Sequence, residues 1–333
     1  MGIGILGCGN YLPSRVVSNE EIARSSGTTP DWIVDRTGIR ERRYGRPDEN
    51  TSDMALAAAT AGLREIPDYP GRLSVIAVAT STPDQPQPAT AAILQDKLGL
   101  SGIPAFDLNA VCSGFLYAVS VAEALLRTSM ADGLALVVGA DKYSTIIDPA
   151  DRRTASVFGD GAGAVVLGAV PDGFGIVASR LITDGRYAEL IQVVAGGTRR
   201  PLDEYARADG DQYFRMNGFA VREYAMTVLP SIVEPLLKEH GLTVADLDRV
   251  VFHQANDRMI EGCAAKLDIP MDKVPLSSTW FGNTGVASIP VTLADADAER
   301  PFRTGDWVLL LSVGGGMSAA AVLLRWYEPS AQS

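Results

Sequence analysis

The residues best suited to chemistry begin at Cys112. Residues 105–119, AFDLNAVCSGFLYAV, read as a short apolar strand, a tight elbow and a helix opening at or just after Cys112. Unpaired N–H groups and the positive end of the helix dipole favour thiolate over thiol there. A lone Cys among small apolar residues is equally what a buried core looks like, but the small Ser113 and Gly114 leave a path to the sulfur. A thiolate attacks a thioester and departs again as one, so the chemistry indicated is acyl exchange. His253 in HQAN and Asn283 in GNTGVAS lie past strand-like runs. Both can donate an N–H to a thioester carbonyl and to the enolate formed when a malonyl group loses CO2. Nothing acidic stands within either motif. The Gly314–Gly316 turn adds bare backbone N–H groups near the sulfur, for an oxyanion hole shared with the amide of Cys112.

The surrounding elements read as α/β. The run G2-x-G4-x-x-G7 has dinucleotide-fingerprint spacing but sits inside an apolar strand, not between a strand and a helix, which argues against NAD binding. Ser18 with Glu21 forms a capping-box pattern. In residues 31–43, Trp32 and Arg36 fall one helical turn apart, able to stack an adenine and hold a phosphate, or to serve as a core Trp with an Arg covering it. Helices are predicted at 51–66, 89–98, 112–130 and 220–240, and buried strands at 73–80, 133–140, 247–252 and 306–313. Residues 274–286 read as a strand plus elbow. Set side by side, the order of elements repeats. This gives two pseudo-symmetric halves, 1–170 with the nucleophile and 171–333 with His253 and Asn283, in one intertwined unit. Ligands of such sheets bind beyond strand carboxyl ends, where all three residues lie.

Composition narrows the options. The 333 residues are 47% hydrophobic and 21% charged, and the net charge of −11, from 29 basic and 40 acidic groups, argues against a general nucleic-acid binder. Arg36, Arg40, Arg42 and Arg43, with Arg152 and Arg153, make a local basic patch if they meet in space. No apolar run reaches the roughly 20 residues of a membrane span, and the N-terminus reads as a strand rather than a signal peptide. Three scattered Cys and two His suit neither a disulfide framework nor a zinc site, and a reducing cytoplasm is expected.

The motifs DWIVDRTGIRER, AFDLNAVCSGF, SVFGDGAGA, YFRMNG, HQAN, GNTGVAS and GGGMSAA, in that order, resemble the β-ketoacyl-ACP synthase III family over essentially the whole chain. The resemblance implies the thiolase fold in an αβαβα layering, and a homodimer. Cys112 would take an acyl group from acyl-CoA, after which His253 and Asn283 would support decarboxylation of malonyl-ACP. It further implies oxyanion amides at Cys112 and Gly315. Coenzyme A and pantetheine contacts fall on Thr28, Trp32, Arg36, Arg152, Met216, Gly218 and Asn256, and a carrier-protein contact on Arg258. Acyl-CoA is then a substrate and no cofactor is held permanently. Three positions depart from the family pattern. Gln87 stands before Pro88 where a large aromatic commonly closes the partner's acyl pocket, and Phe219 and Arg222 lie near the pantetheine tunnel. They suggest a specialised relative that primes a polyketide or transfers an unusual acyl group. Two other readings remain: an acyltransferase passing the Cys112-bound group to a hydroxyl or amine with His253 as base, and a non-catalytic partner subunit.

Overall fold

Strands that are apolar on both faces need cover on both sides, and this sets the layering of the protein. The computed structural model describes residues 1–328 except 65, 67 and 131. Its strands are β1 (Gly2–Tyr11), β2 (Arg15–Ser18), β3 (Glu41–Tyr44), β4 (Leu73–Ala79), β5 (Ala105–Leu108), β6 (Leu134–Lys142), β7 (Asp160–Val170), β8 (Gly175–Thr183), β9 (Ile191–Val193), β10 (Phe214–Met216), β11 (Arg249–Phe252), β12 (Trp307–Gly314) and β13 (Ser318–Arg325). One sheet runs β1-β7-β6-β4-β5 and the other, read from its matching edge, β8-β13-β12-β11. The directions match as well. The first two pairings of each are antiparallel, and those from β6 to β4 and from β12 to β11 are parallel.

Alternation along each strand feeds two cores. In β4, Val75, Ala77 and Ala79 face a central layer formed by the helices Gly114–Thr128 and Ser288–Glu299, while Ile76 and Val78 face the outer helices Thr51–Leu63 and Thr90–Lys97. In β12, Val308 and Leu310 face the centre, and Leu309 and Leu311 face the helices Gly218–Glu239 and Asp257–Lys266. Helix, sheet, helix, sheet, helix is the expected αβαβα order. Residues 111–128 are long and apolar enough to cross a membrane, yet here they form a core helix between the sheets, with Phe115, Leu116, Ala118, Val119, Ala122 and Leu126 buried.

Three local readings change. The stretch after Trp32 is helical only over Pro30–Thr37; Gly38, at φ 79°, ends the helix, and Glu41–Tyr44 pairs with β2. Ser18 caps its helix by accepting from the Glu21 N–H at 3.4 Å, but the Glu21 carboxylate turns to Arg15 rather than closing the box. Residues 274–277 form no strand. Pro275 has no N–H to give, and the Gln254 side chain takes the place of a neighbouring strand. Its Oε1 accepts from Ser277 N at 2.9 Å and Ser278 N at 3.2 Å, and its Nε2 donates to the Pro275 carbonyl at 3.4 Å.

Two glycines of β1, Gly7 and Gly9, serve helix packing. A Cβ on Gly9 would lie 2.3 Å from Gly62 N and 2.4 Å from the Ala58 carbonyl, so the helix Thr51–Leu63 rests on bare backbone. Gly9→Ala should therefore destabilise the protein by about 1–3 kcal/mol in denaturant unfolding. Gly71→Ala, which meets nothing within 4 Å, should leave the midpoint unchanged.

Candidate active site

Cys112 lies in the single turn Val111–Ser113, between β5 and the helix that starts at Gly114. Val111 is held at φ 48°, a conformation that β-branched residues rarely adopt. The β12–β13 turn explains how it is held. A Cβ on Gly314 would stand 2.9 Å from Cys112 N and 2.8 Å from Ser113 N, and one on Gly315 would stand 2.9 Å from Val111 Cγ2. Ser312 donates to the Cys112 carbonyl at 3.0 Å, and Ser113 Oγ to the Ser318 carbonyl at 3.1 Å. The elbow from the first sheet is thus stitched to a turn of the second.

The sequence expectation of a ready thiolate needs correction. Burial, reinforced by the nearby Asp141 carboxylate, pushes the Cys112 thiol up to about 12; its own backbone N–H and the Tyr143 hydroxyl pull the other way. At neutral pH this holds the Cys112 sulfur as a thiol. The acidic influence comes from the end of β6, outside both catalytic motifs.

His253 follows β11, and its backbone N–H donates to the Leu311 carbonyl at 2.7 Å, one residue before Ser312 on β12. Its Nδ1 is 2.7 Å from Ser288 Oγ, which also accepts the Gln254 N–H at 3.2 Å. Gln254 uses one of the two hydroxyl lone pairs; with the hydroxyl proton given to Nδ1, the imidazole proton sits on Nε2. Burial lowers the His253 pKa to about 4, so the ring is neutral and a poor base. Asn283 belongs to the second half, yet first-half backbone holds it. Its N–H donates to the Val157 carbonyl and its carbonyl accepts from Gly159 N, each at 2.9 Å. Its Oδ1 accepts the Gly285 N–H at 2.9 Å, leaving the amide Nδ2 as the free end. Both side chains thus have their acceptor occupied and an N–H to offer.

The other predicted contacts fall on the outer face. Arg152 lies over the half-buried Trp32 ring, 5.1 Å from its centroid, and Arg36 is exposed one turn along the same helix. The basic patch is smaller than expected. Arg42 is fully buried and bonded to Asn19 Oδ1 and the Ser156 carbonyl, each at 2.7 Å, while Arg43 pairs with Glu41 and Arg153 with Asp151. Met216 and Asn217 line a cavity of about 350 Å³ with Arg153 and Leu190, and a Cβ added at Gly218 would lie 3.7 Å from the Met216 methyl. Thr28 borders a separate hollow with Glu20 and Arg24. Asn256 caps the helix Asp257–Lys266 by accepting from Met259 N at 2.9 Å. Arg258 is tied to Glu261 at 3.1 Å. Gln87, Phe219 and Arg222 are exposed, and Arg222 sits beside Glu223.

Sequence reasoning passed over Ser288, Asp141 and Tyr143. A signal did exist for Asp141, an acid closing an otherwise apolar strand; Ser288 carried none beyond its place after GNTGVA.

The chain has two histidines, and His240 is on the surface. In a 15N-edited NMR titration the buried ring of His253 should therefore protonate near pH 4; a midpoint near the usual ~6.5 would show that water reaches it. The folded pKa lies below the unfolded one, so His253 favours folding fully above about 6.5. That contribution is lost as pH falls towards 4, and His253→Asn should flatten this part of the stability–pH curve.

Residues 106–185 match the family model for 3-oxoacyl-[acyl-carrier-protein] synthase III, and residues 237–326 match its C-terminal model. The chain is 47% identical to the acetoacetyl CoA synthase NphT7 of Streptomyces sp. (strain CL190), over 97% of this chain and 98% of that one. It is 43% identical to the β-ketoacyl-[acyl-carrier-protein] synthase III of Laribacter hongkongensis (strain HLHK9), with the same coverage. The solved 3-oxoacyl-(acyl carrier protein) synthase III of Pseudomonas aeruginosa PAO1 superposes with a TM-score of 0.89 at 37% identity, covering 98% of this chain and 99% of that one. Matched along nearly its whole length, the chain belongs to the β-ketoacyl-[acyl-carrier-protein] synthase III family of thiolase-fold condensing enzymes.

Proposed function

We propose that Cys112 takes an acyl group from acyl-CoA and that His253 and Asn283 then drive decarboxylative condensation with a malonyl thioester carried on acyl carrier protein. In the first half-reaction the Cys112 sulfur bonds to the acyl carbon, the bond to the CoA sulfur breaks, and CoA leaves as the thiol. In the second, Nε2–H of His253 and Nδ2–H of Asn283 hold the malonyl thioester oxygen. CO2 departs, and the resulting enolate attacks the acyl group and frees Cys112. The amides of Cys112 and Gly315 stabilise the oxyanion in both steps. What carries this reading is the pair of donors whose acceptor atoms are already taken, by Ser288 in one case and the Gly285 N–H in the other. Such a pair stabilises negative charge and removes no proton. An acyl transfer to a hydroxyl or amine would need a base, and a buried His with a pKa near 4 serves poorly. A subunit without catalysis has no use for all three residues.

Trp32, Arg36 and Arg152 offer a ring, a stacked guanidinium and a further charge to the nucleotide end of CoA. The cavity lined by Met216 suits the pantetheine arm, with Gly218 next along the chain; Thr28, on its own hollow, and Asn256, at the start of the helix Asp257–Lys266, are assigned to CoA by the family pattern alone. No resident cofactor or metal enters the reaction. A second copy of the chain completes the acyl pocket, with the exposed Gln87 facing it. One observation favours malonyl-CoA as the extender instead: Arg258, the expected carrier-protein contact, has its charge met by Glu261.

Mass spectrometry after incubation with acyl-CoA should show acylation of the wild type and none of Cys112→Ala. Asn283→Ala should still be acylated but condense about 100-fold more slowly or worse; equal loss of both steps would remove Asn283 from its assigned role. Turnover with malonyl-ACP against malonyl-CoA, in wild type and Arg258→Ala, identifies the extender. A role in carrier docking predicts that Arg258→Ala impairs the ACP reaction alone.

A further inference from the structure

Asn283 serves the proposed reaction only if its Nδ2, not its Oδ1, meets the malonyl thioester oxygen, and the two ends of a carboxamide have nearly the same shape. The backbone bonds to Val157 and Gly159 fix where the residue sits but not which way its amide is turned. The Gly285 N–H decides that, since Oδ1 accepts it at 2.9 Å. Whatever holds Gly285 therefore holds the amide.

The elbow that carries Gly285 rests on the end of β6, an interior strand of the first sheet. Val286 N–H, the next donor along the chain, donates to Asp141 Oδ2 at 2.9 Å. Asp141 is fully buried, and its Oδ1 is held in turn by the loop after β4, through Ser81 N at 2.8 Å and Thr82 Oγ1 at 3.0 Å. Gly285, at φ 59°, packs so closely that a Cβ would stand 2.3 Å from Asp141 Oδ2 and 2.3 Å from Tyr143 Cε2. The Tyr143 ring is itself locked, with Phe158 stacked on it at 4.4 Å between centroids and Phe214 edge-on at 5.5 Å. Ring and strand stop the elbow from moving inward, and the Val286 bond keeps it from lifting away.

We infer that Asp141 is a positioning residue for Asn283: by holding Val286 it fixes the Gly285 N–H, and through that bond it turns Nδ2–H of Asn283 towards the substrate oxygen. Asp141 itself touches no substrate and transfers no proton. The inference rests on Asn283 being the enolate donor of the proposed reaction. A donor misplaced by about 1 Å slows the step it serves by roughly tenfold to 100-fold.

Asp141→Asn keeps the shape and tests the bond. Its carbonyl oxygen is claimed by the donors of Ser81 and Thr82, so its NH2 faces the Val286 N–H, donor against donor. The two half-reactions are timed separately: acylation of Cys112 by acetyl-CoA, read by mass spectrometry, and condensation of the acylated enzyme with malonyl-ACP and with malonyl-CoA. Condensation should fall about tenfold or more in Asp141→Asn. Acylation should hold or quicken, because the Asp141 charge opposes ionisation of the thiol. In an Asn283→Ala background, Asp141→Asn should slow the residual condensation no further. Equal loss of both steps, unchanged condensation, or an independent loss in the Asn283→Ala background overturns the inference. If Asp141→Asn does not fold, the α-hydroxy acid analogue of valine at position 286, which deletes only that N–H, should slow condensation by a similar factor, and no slowing overturns it. Condensation at the wild-type rate by Asn283→Ala would instead remove Asn283 from the proposed reaction, whatever Asp141→Asn does, and the inference with it.

Discussion

The site depends first on the seating of the Cys112 elbow against the β12–β13 turn. An elbow with Val111 in the left-handed region does not persist alone. It is held because Gly314 has no side chain to separate the two backbones and because the Ser312 hydroxyl fastens the Cys112 carbonyl. His253 is anchored at Leu311 on the same strand. One strand of the second sheet therefore sets the relative position of a nucleophile and a donor that are far apart in sequence. Both sheets are buried on two faces, so β12 itself has little freedom to shift.

Electrostatically, the centre is built to meet negative charge as it appears rather than to store it. The thiol, the imidazole and the carboxamide are all neutral at rest, and the last two are oriented by Ser288 and the Gly285 N–H. Cationic groups stand outside, around Trp32, where a charged nucleotide would be held in water. Such an arrangement avoids the desolvation cost of a buried ion until the acyl group arrives.

Much of this was legible in the chain. Continuous apolar runs marked the buried strands, and Cys112 and His253 lie past strands as expected, whereas the strand expected before Asn283 is absent. The layering came with the family resemblance, and burial of the strands on both faces accounts for it. What the sequence hid was contact between residues far apart in the chain. The side chain of Gln254 standing in for a strand, the Ser288 bond that orients His253, and the Gly285 clamp on Tyr143 all join residues that no local pattern links. Arg42 misled for the same reason. A run of arginines reads as surface, yet one of them is swallowed by Asn19 and the Ser156 carbonyl.

The missing strand at residues 274–277 has a further meaning. The two sheets share one strand order except at this edge, where the second sheet stops at β11. Asn283 is handed instead to the backbone of Val157 and Gly159 in the other half. Symmetry has been given up at the point where the proposed chemistry is asymmetric, with the attacking atom assigned to one half and the groups that tame the carbanion to the other. The unit that must be kept whole in any recombination of such chains is therefore neither half, but the seam of residues 157–159 and 283–285 that binds one to the other.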